Sequence, residues 1–80
     1  MTSEDQSAKI RQTVSDVLGV PLKDINDDTS PDTVEGWDSV AHLNLIMALE
    51  EALGMGFTPE ETMDMTSVKL ICLVVEEKRA

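Results

Sequence analysis

Apolar residues recur every three or four positions in several stretches of the chain, and this spacing predicts helices. The first helix is predicted from residue 4 to about residue 18, with an apolar face made of Ile10, Val14, Val17 and Leu18. Ser3 stands at the expected N-cap, and Gln6 occupies the reciprocal capping-box position. Gly19 marks the helix end, and Pro21 lies just beyond it. No run of alternating β-branched residues predicts a hairpin.

The second predicted helix begins at Asp38-Ser39 and runs to about residue 53. Asp38 is the predicted N-cap and Gly54 the stop. The inward stripe consists of Leu45, Ile46, Leu49 and Leu53. A neighbouring face carries Val40, Leu43 and Met47, so the helix is apolar over more of its circumference than one buried stripe requires. This second face is therefore either more core or a binding surface.

Two further helix starts follow. In Thr58-Pro59-Glu60-Glu61 the threonine caps, the proline fits the first turn and the second glutamate completes a capping box, which predicts a short helix to about Met65. Thr66 or Ser67 then caps a last helix through about Lys78. Its inward residues are Val68, Ile71, Cys72 and Val75. Lys78 and Arg79 are favourably placed at its C-terminal end.

The long connection over residues 21–37 is rich in turn-forming residues. Loops of this length in small domains often carry function. Ile25, Val34 and Trp37 are predicted to attach it to the core. The fold prediction is all-α: a small antiparallel four-helix bundle, with three longer helices, one short helix and a long loop between helices one and two. Residues 1–80 are expected to form a single domain.

Composition narrows the possible partners. Sixteen acidic residues oppose six basic ones, for a net charge of −10. Such a surface repels nucleic acids and anionic lipids and favours basic protein partners, although plain solubility is the more common reason for such a charge. The N-terminus has no apolar signal core, and no apolar stretch is long enough to span a bilayer. We expect a cytoplasmic monomer, with the single Cys72 as a buried structural thiol.

The candidate chemistry centres on Ser39. Alone, Asp38-Ser39 at a helix start predicts only a cap. However, Gly36-Trp37-Asp38-Ser39-Val40 resembles the attachment motif of acyl and peptidyl carrier proteins, usually Asp-Ser-Leu. The resemblance extends from the first helix to Lys78. It includes the apolar helix through residues 47–53, Phe57 ahead of the capped short helix, and Thr66-Ser67-Val68 at the last helix start.

The resemblance implies an acyl carrier protein rather than an enzyme. It implies 4′-phosphopantetheine as a covalent cofactor on Ser39, transferred from coenzyme A by a phosphopantetheinyl transferase. Asp38 would contact Mg²⁺ during that transfer. The arm's thiol would carry an acyl group as a thioester, sheltered by the bundle interior, to acyl-loading and acyl-processing enzymes with basic patches. The docking residues implied are Val40, Met47, Glu50, Glu51 and Met63.

The chain also departs from that family. Carriers of fatty acid synthesis often have acids in the first turns of the second helix, where this chain has Ala41 and Asn44, with His42 between them. Gly36-Trp37 resembles carriers of specialised pathways more closely. The expected cargo is therefore an acyl group of a fatty acid, polyketide or other specialised pathway. A peptidyl or aminoacyl carrier of the nonribosomal-peptide type is the alternative.

Three other functions compete with the carrier hypothesis. Five residues match positions one, three, five, nine and twelve of an EF-hand calcium loop over residues 24–35, namely Asp24, Asn26, Asp28, Asp32 and Glu35. Thr29 and Pro31 occupy positions that oppose such a loop. Ser39 and His42 could form a nucleophile and base, but a surface histidine is expected instead. A helical adaptor would use Val40, Leu43 and Met47 for binding.

Overall fold

The computed structural model describes residues 3–79, which contain α-helices, one 3₁₀ turn and no strand. The helices are α1 (Ser3–Leu18), α2 (Ser39–Leu53), α3 (Pro59–Asp64) and α4 (Val68–Arg79). α1 packs against α2 and α4, and α3 packs against α4. The predicted all-α class with three longer helices and one short helix is confirmed, whereas the antiparallel arrangement stays a prediction. Within the described range, no helix is both long and apolar enough to cross a membrane.

The core is built from one stripe of each longer helix and from three residues outside the helices. Its buried members are Ile10, Val14, Ile25, Trp37, Leu45, Ile46, Leu49, Leu53, Met65, Val68, Ile71 and Val75. The inward stripe predicted for α2 is confirmed in full. Val17, Leu18 and Cys72 are only half-buried at the edge of the core. Met65, predicted only as the end of the short helix, is completely buried.

The helix ends follow the predicted local chemistry. Gly19 and Gly54 both adopt positive φ angles, which glycine reaches without a steric penalty, and so end α1 and α2. Thr58 and Glu61 form the complete capping box at α3. The Ser67 Oγ accepts a hydrogen bond from the Leu70 N–H and caps α4. α1 begins at Ser3, and the side chains of residues 3, 4 and 79 lie outside the described part of the structure, as do the predicted roles of Ser3 and Arg79.

The connection between α1 and α2 is more ordered than its turn-rich composition predicts. It contains a 3₁₀ turn at Leu22–Asp24, and Thr29 is buried within it. The Thr29 carbonyl accepts a hydrogen bond from the Val68 N–H at 2.9 Å, and the Asp27 carbonyl accepts one from the Lys69 N–H at 3.1 Å. The first amides of a helix have no partner within it, so this loop supplies acceptors that α4 itself lacks.

Candidate functional site

Ser39 is the first residue of α2, and its neighbour does the capping. Asp38 Oδ1 accepts a hydrogen bond from the Ala41 N–H at 2.8 Å, as the N-cap prediction requires. Ser39 is exposed, and its hydroxyl makes no hydrogen bond to any residue in the described range 3–79. The hydroxyl is therefore available for chemistry beside the positive end of the helix dipole.

Asp38 retains one carboxylate oxygen outside the cap. Because a carboxylate accepts through both oxygens, Oδ2 remains available to a cation while Oδ1 holds the helix start. Residues 3–79 contain no group of three or more His, Cys, Asp or Glu side chains that could hold a metal ion by itself. A cation that contacts Asp38 would therefore need ligands other than a second and third side chain of these four types.

Ser39 and Asp38 border an open cleft of about 370 Å³. Its other lining residues are Pro31, Trp37, His42 and Thr66. They come from the first loop, from α2 and from the junction between α3 and α4. The cleft thus lies where three separate segments of the chain meet beside the candidate serine.

His42 joins these segments, which corrects the expectation of a surface histidine. The buried Trp37 donates its indole N–H to His42 Nδ1 at 3.0 Å, and the two rings stack with centroids 6.1 Å apart. Since an indole can only donate, Nδ1 is the acceptor and Nε2 carries the proton. Nε2–H then donates to the Thr62 carbonyl at 2.9 Å. Both ring nitrogens are occupied, so His42 is not arranged as a base for Ser39.

The predicted docking residues do not all lie together. Val40 and Met47 are 67% and 65% exposed on the outward face of α2, and Leu43 lies between them. Glu51 is exposed one turn beyond Met47. Glu50 instead bonds to the segment that follows α2, because its Oε2 accepts a hydrogen bond from the Phe57 N–H at 2.9 Å. The structure therefore gives Glu50 a role in fixing the segment after α2.

On α3, the candidate docking residue Met63 is 76% exposed, and this short helix is tied to α4 by an ion pair. Lys78 Nζ lies 2.8 Å from Glu61 Oε1 and 5.7 Å from the centre of the Phe57 ring. The hydrogen bond from Lys78, followed by the backbone N–H of Thr58, lowers the pKa of Glu61. Sequence reasoning assigned Lys78 only to the helix dipole and missed this contact.

The acidic residues of the first loop, which match a calcium loop only as an alternative, are spread along its surface. The Asn26 side-chain oxygen accepts a hydrogen bond from the Asp28 N–H, so it closes a local turn. Asp24, Asn26, Asp28 and Glu35 border a second open cleft of about 560 Å³. Within residues 3–79 no three His, Cys, Asp or Glu side chains are grouped so that they could hold a metal ion.

The single cysteine is less buried than the sequence predicts, although it does pack against the core. Cys72 is half-buried against the core, and burial raises the pKa of its thiol. A thiol with a raised pKa stays protonated at neutral pH and reacts slowly, because the thiolate is the nucleophile. Cys72 therefore contributes packing rather than reactivity.

The chain matches a known family model. The model described as "Phosphopantetheine attachment site" covers residues 8–75. This range begins within α1 and ends within α4, and it includes the cleft and Ser39. The match therefore extends over the whole arrangement described above rather than over the serine motif alone.

Proposed function

Because the chain belongs to the phosphopantetheine-binding carrier family, whose cofactor is held covalently on a serine, we propose that Ser39 is that serine. The supporting observation is a comparison of the serines within the matched range. Ser15 donates its hydroxyl to the Val20 carbonyl. The side-chain oxygens of Ser30 and Ser67 accept backbone N–H groups. Ser39 alone among these serines is exposed and has a hydroxyl without a hydrogen bond in the described structure.

The chain's own residues favour attachment at this position. The Asp38 cap fixes the start of α2, so the Ser39 hydroxyl is presented from a rigid element. The helix dipole stabilises the negative charge of a phosphodiester at its N-terminal end. When bound, 4′-phosphopantetheine supplies a thiol that carries an acyl group as a thioester.

The transfer itself belongs to a phosphopantetheinyl transferase. Ser39 Oγ forms the new bond to phosphorus, and the pyrophosphate P–O bond of coenzyme A breaks. Adenosine bisphosphate leaves, and the serine proton passes to a base on the transferase. The Asp38 oxygen that the cap does not use would contact the Mg²⁺ that the transferase brings. His42 takes no part, because both of its nitrogens are engaged.

The docking surface we propose comprises Val40, Leu43, Met47 and Glu51 on α2 together with Met63 on α3. Its apolar side chains are exposed, and the net charge of −10 attracts partners with basic patches. The proposed partners are the transferase and enzymes that load or process acyl groups. Because Ala41 and Asn44 leave the first turns of α2 without acids, a specialised pathway is favoured over general fatty acid synthesis.

The first test is intact-mass measurement after incubation with coenzyme A, Mg²⁺ and a broad-specificity transferase. The wild type should gain the mass of one phosphopantetheine, and Ser39→Ala should gain none. Ser67→Ala is the matched control, because Ser67 also stands at a helix start within the matched range. It should be modified fully, although losing the cap costs about 1 kcal/mol of stability.

Two results would contradict the proposal. One is that several competent transferases leave the wild type unmodified. The other is that Ser39→Ala is modified as fully as the wild type.

A further inference from the structure

The last helix, like α2, is apolar on more than one face. Val68 and Ile71 on its inward face are completely buried. A second set of apolar residues lies on another face at helical spacing. Leu70 and Leu73 are 39% and 44% exposed, and Val74 beside them is only partly buried. Because one buried face is enough to hold a helix on a core, this second face is available for another contact.

The second face of α4 forms one wall of an open groove of about 410 Å³ between α3 and α4. The opposite wall includes Met63 of α3, which is 76% exposed. Single exposed apolar side chains are common on proteins, but a group of them with a polar rim is typical of an interaction site. Met63 also belongs to the docking surface proposed above, so the groove continues that surface across α3 onto α4.

The rim of the groove is acidic. Asp64 at the end of α3 and Glu77 toward the end of α4 both border it. Neither carboxylate forms an ion pair with a basic side chain in the described part of the chain. Lys78, which follows Glu77, is already paired with Glu61. The groove therefore offers apolar contacts flanked by two uncompensated negative charges.

The chemistry of the groove selects the kind of partner. Addition of a β-strand needs an exposed sheet edge, and residues 3–79 contain no strand. Proline-rich segments need aromatic walls, and none of the described residues that line this groove is aromatic. A helix with an apolar face suits a groove lined by leucine, valine and methionine, and methionine adapts readily to the shape of a partner.

We propose that this groove binds an amphipathic helix of a partner protein, with the apolar face of that helix against Met63 and the leucines of α4 and with basic residues beside Asp64 and Glu77. A second copy of the chain is a poor occupant, because its net charge of −10 would repel the first copy. Anionic lipids and nucleic acids are disfavoured for the same reason. The inference does not depend on attachment at Ser39, and it extends partner recognition to α4.

The test uses the full chain with Ser39→Ala, so that no arm is attached. The probe is a synthetic helical peptide of about four turns, with leucines at i, i+3, i+4 and i+7 and lysines at both ends. Titration followed by amide chemical shifts should give saturable binding, with the largest changes at Met63, Leu70 and Leu73. A peptide of the same composition with scrambled leucines should bind at least about tenfold more weakly.

Two pairs of variants locate the peptide, and amide spectra verify that each variant is folded. Leu73→Ser should weaken binding by about five- to tenfold because it removes an apolar contact. Leu43→Ser is its matched control, since Leu43 is exposed on α2 and does not line the groove. Glu77→Gln should weaken binding by about two- to fivefold at low salt. Glu76→Gln removes the same charge from an exposed neighbour outside the groove and should change binding by less than about twofold.

The inference is overturned if the peptide shows no saturable binding or if the scrambled peptide binds equally well. Equal losses in Leu73→Ser and Leu43→Ser, or in Glu77→Gln and Glu76→Gln, would also overturn it. Shifts at the groove that grow with protein concentration without peptide would identify a second copy as the occupant and contradict the proposal. Because these measurements use a chain without the arm, their failure leaves the proposed attachment at Ser39 untouched, and an unmodified wild type leaves this inference untouched.

Discussion

At residue 42 a single imidazole connects the first loop, α2 and α3. Its two hydrogen bonds reach Trp37 in the loop and the Thr62 carbonyl on α3. Trp37 is only 3% exposed, so in the folded protein its indole N–H depends on His42 as its acceptor. A buried donor that loses its acceptor keeps the full cost of its desolvation.

Replacing this imidazole should therefore destabilise the fold. We expect His42→Ala to lower the free energy of unfolding by about 1–3 kcal/mol, because it leaves the Trp37 N–H buried without a partner. Denaturant titration followed by the fluorescence of Trp37, the only tryptophan, measures this directly. Asn44→Ala, at an exposed position two residues away, is the control and should change stability by less than about 0.5 kcal/mol. Equal unfolding midpoints for the two variants would contradict the prediction.

Prediction from sequence succeeds for Asp38 and fails for His42, and the physical reason is the range of the interactions. A cap bonds to an amide three residues away, so the local sequence contains both partners. The Thr62 carbonyl lies twenty positions from His42 and is a backbone atom, so no side-chain pattern indicates it. The helical periodicity places His42 outside the buried stripe of α2. Such a position is exposed only when no other segment of the chain covers it.

Among the elements, α3 depends most on contacts outside itself. It has six residues, and isolated helices shorter than about 12–15 residues are marginal in water. Its capping box fixes the start, the Glu61–Lys78 ion pair ties it to α4, and His42 holds the Thr62 carbonyl. Glu61 takes part in both the box and the ion pair.

This double role makes part of the stability pH-dependent. The hydrogen bond from Lys78 lowers the pKa of Glu61 below its ordinary value of 4.5, so the unfolded chain binds a proton at Glu61 more readily than the folded one. The contribution is fully present above the unfolded pKa and is lost as pH falls through the folded pKa.

We expect Glu61→Gln to lower the melting temperature at neutral pH and to differ less from the wild type as pH approaches about 3. The substitution preserves a capping-box side chain while it removes the charge. Glu60→Gln, at the exposed neighbouring position, is the control, and its difference from the wild type should be small at both pH values. A Glu61→Gln difference that stays constant with pH would contradict the assignment.

Element boundaries were largely predictable, because Gly54, Thr58 and Ser67 act on their own helices. The order of the first loop was not. Its key contacts join Thr29 and Asp27 to amides of α4, and turn-forming residues indicate only that a chain bends. The acidic spacing that matches a calcium loop is uninformative for the same reason, since spacing alone does not make side chains converge on one cation.

For the whole molecule, charge is the dominant feature. A net charge of −10 on 80 residues makes the folded state repel itself, and pairs such as Arg11–Asp27 are exposed and contribute little. The composition alone predicts this self-repulsion, because the net charge does not depend on the fold.

Screening should therefore stabilise the protein. Between about 0.01 M and 0.1 M salt the Debye length falls from about 30 Å to about 10 Å, which weakens repulsion between separate carboxylates. We expect the melting temperature at neutral pH to rise by several degrees over this range. A double variant, Asp24→Asn with Asp28→Asn, removes two exposed loop charges and should respond less to salt. A melting temperature that falls or stays constant with salt would contradict the prediction.

The two carbonyls that the first loop offers to α4 also determine how the molecule opens. The start of α4 cannot keep its amides paired when the loop detaches, and the loop cannot detach without breaking bonds to Val68 and Lys69. We therefore expect the loop and α4 to open together in local unfolding, although α2 and α3 lie between them in the chain. On this expectation the segment leading into Ser39 opens as rarely as the start of α4, and the serine is displayed by a persistent surface rather than by a fluctuating loop.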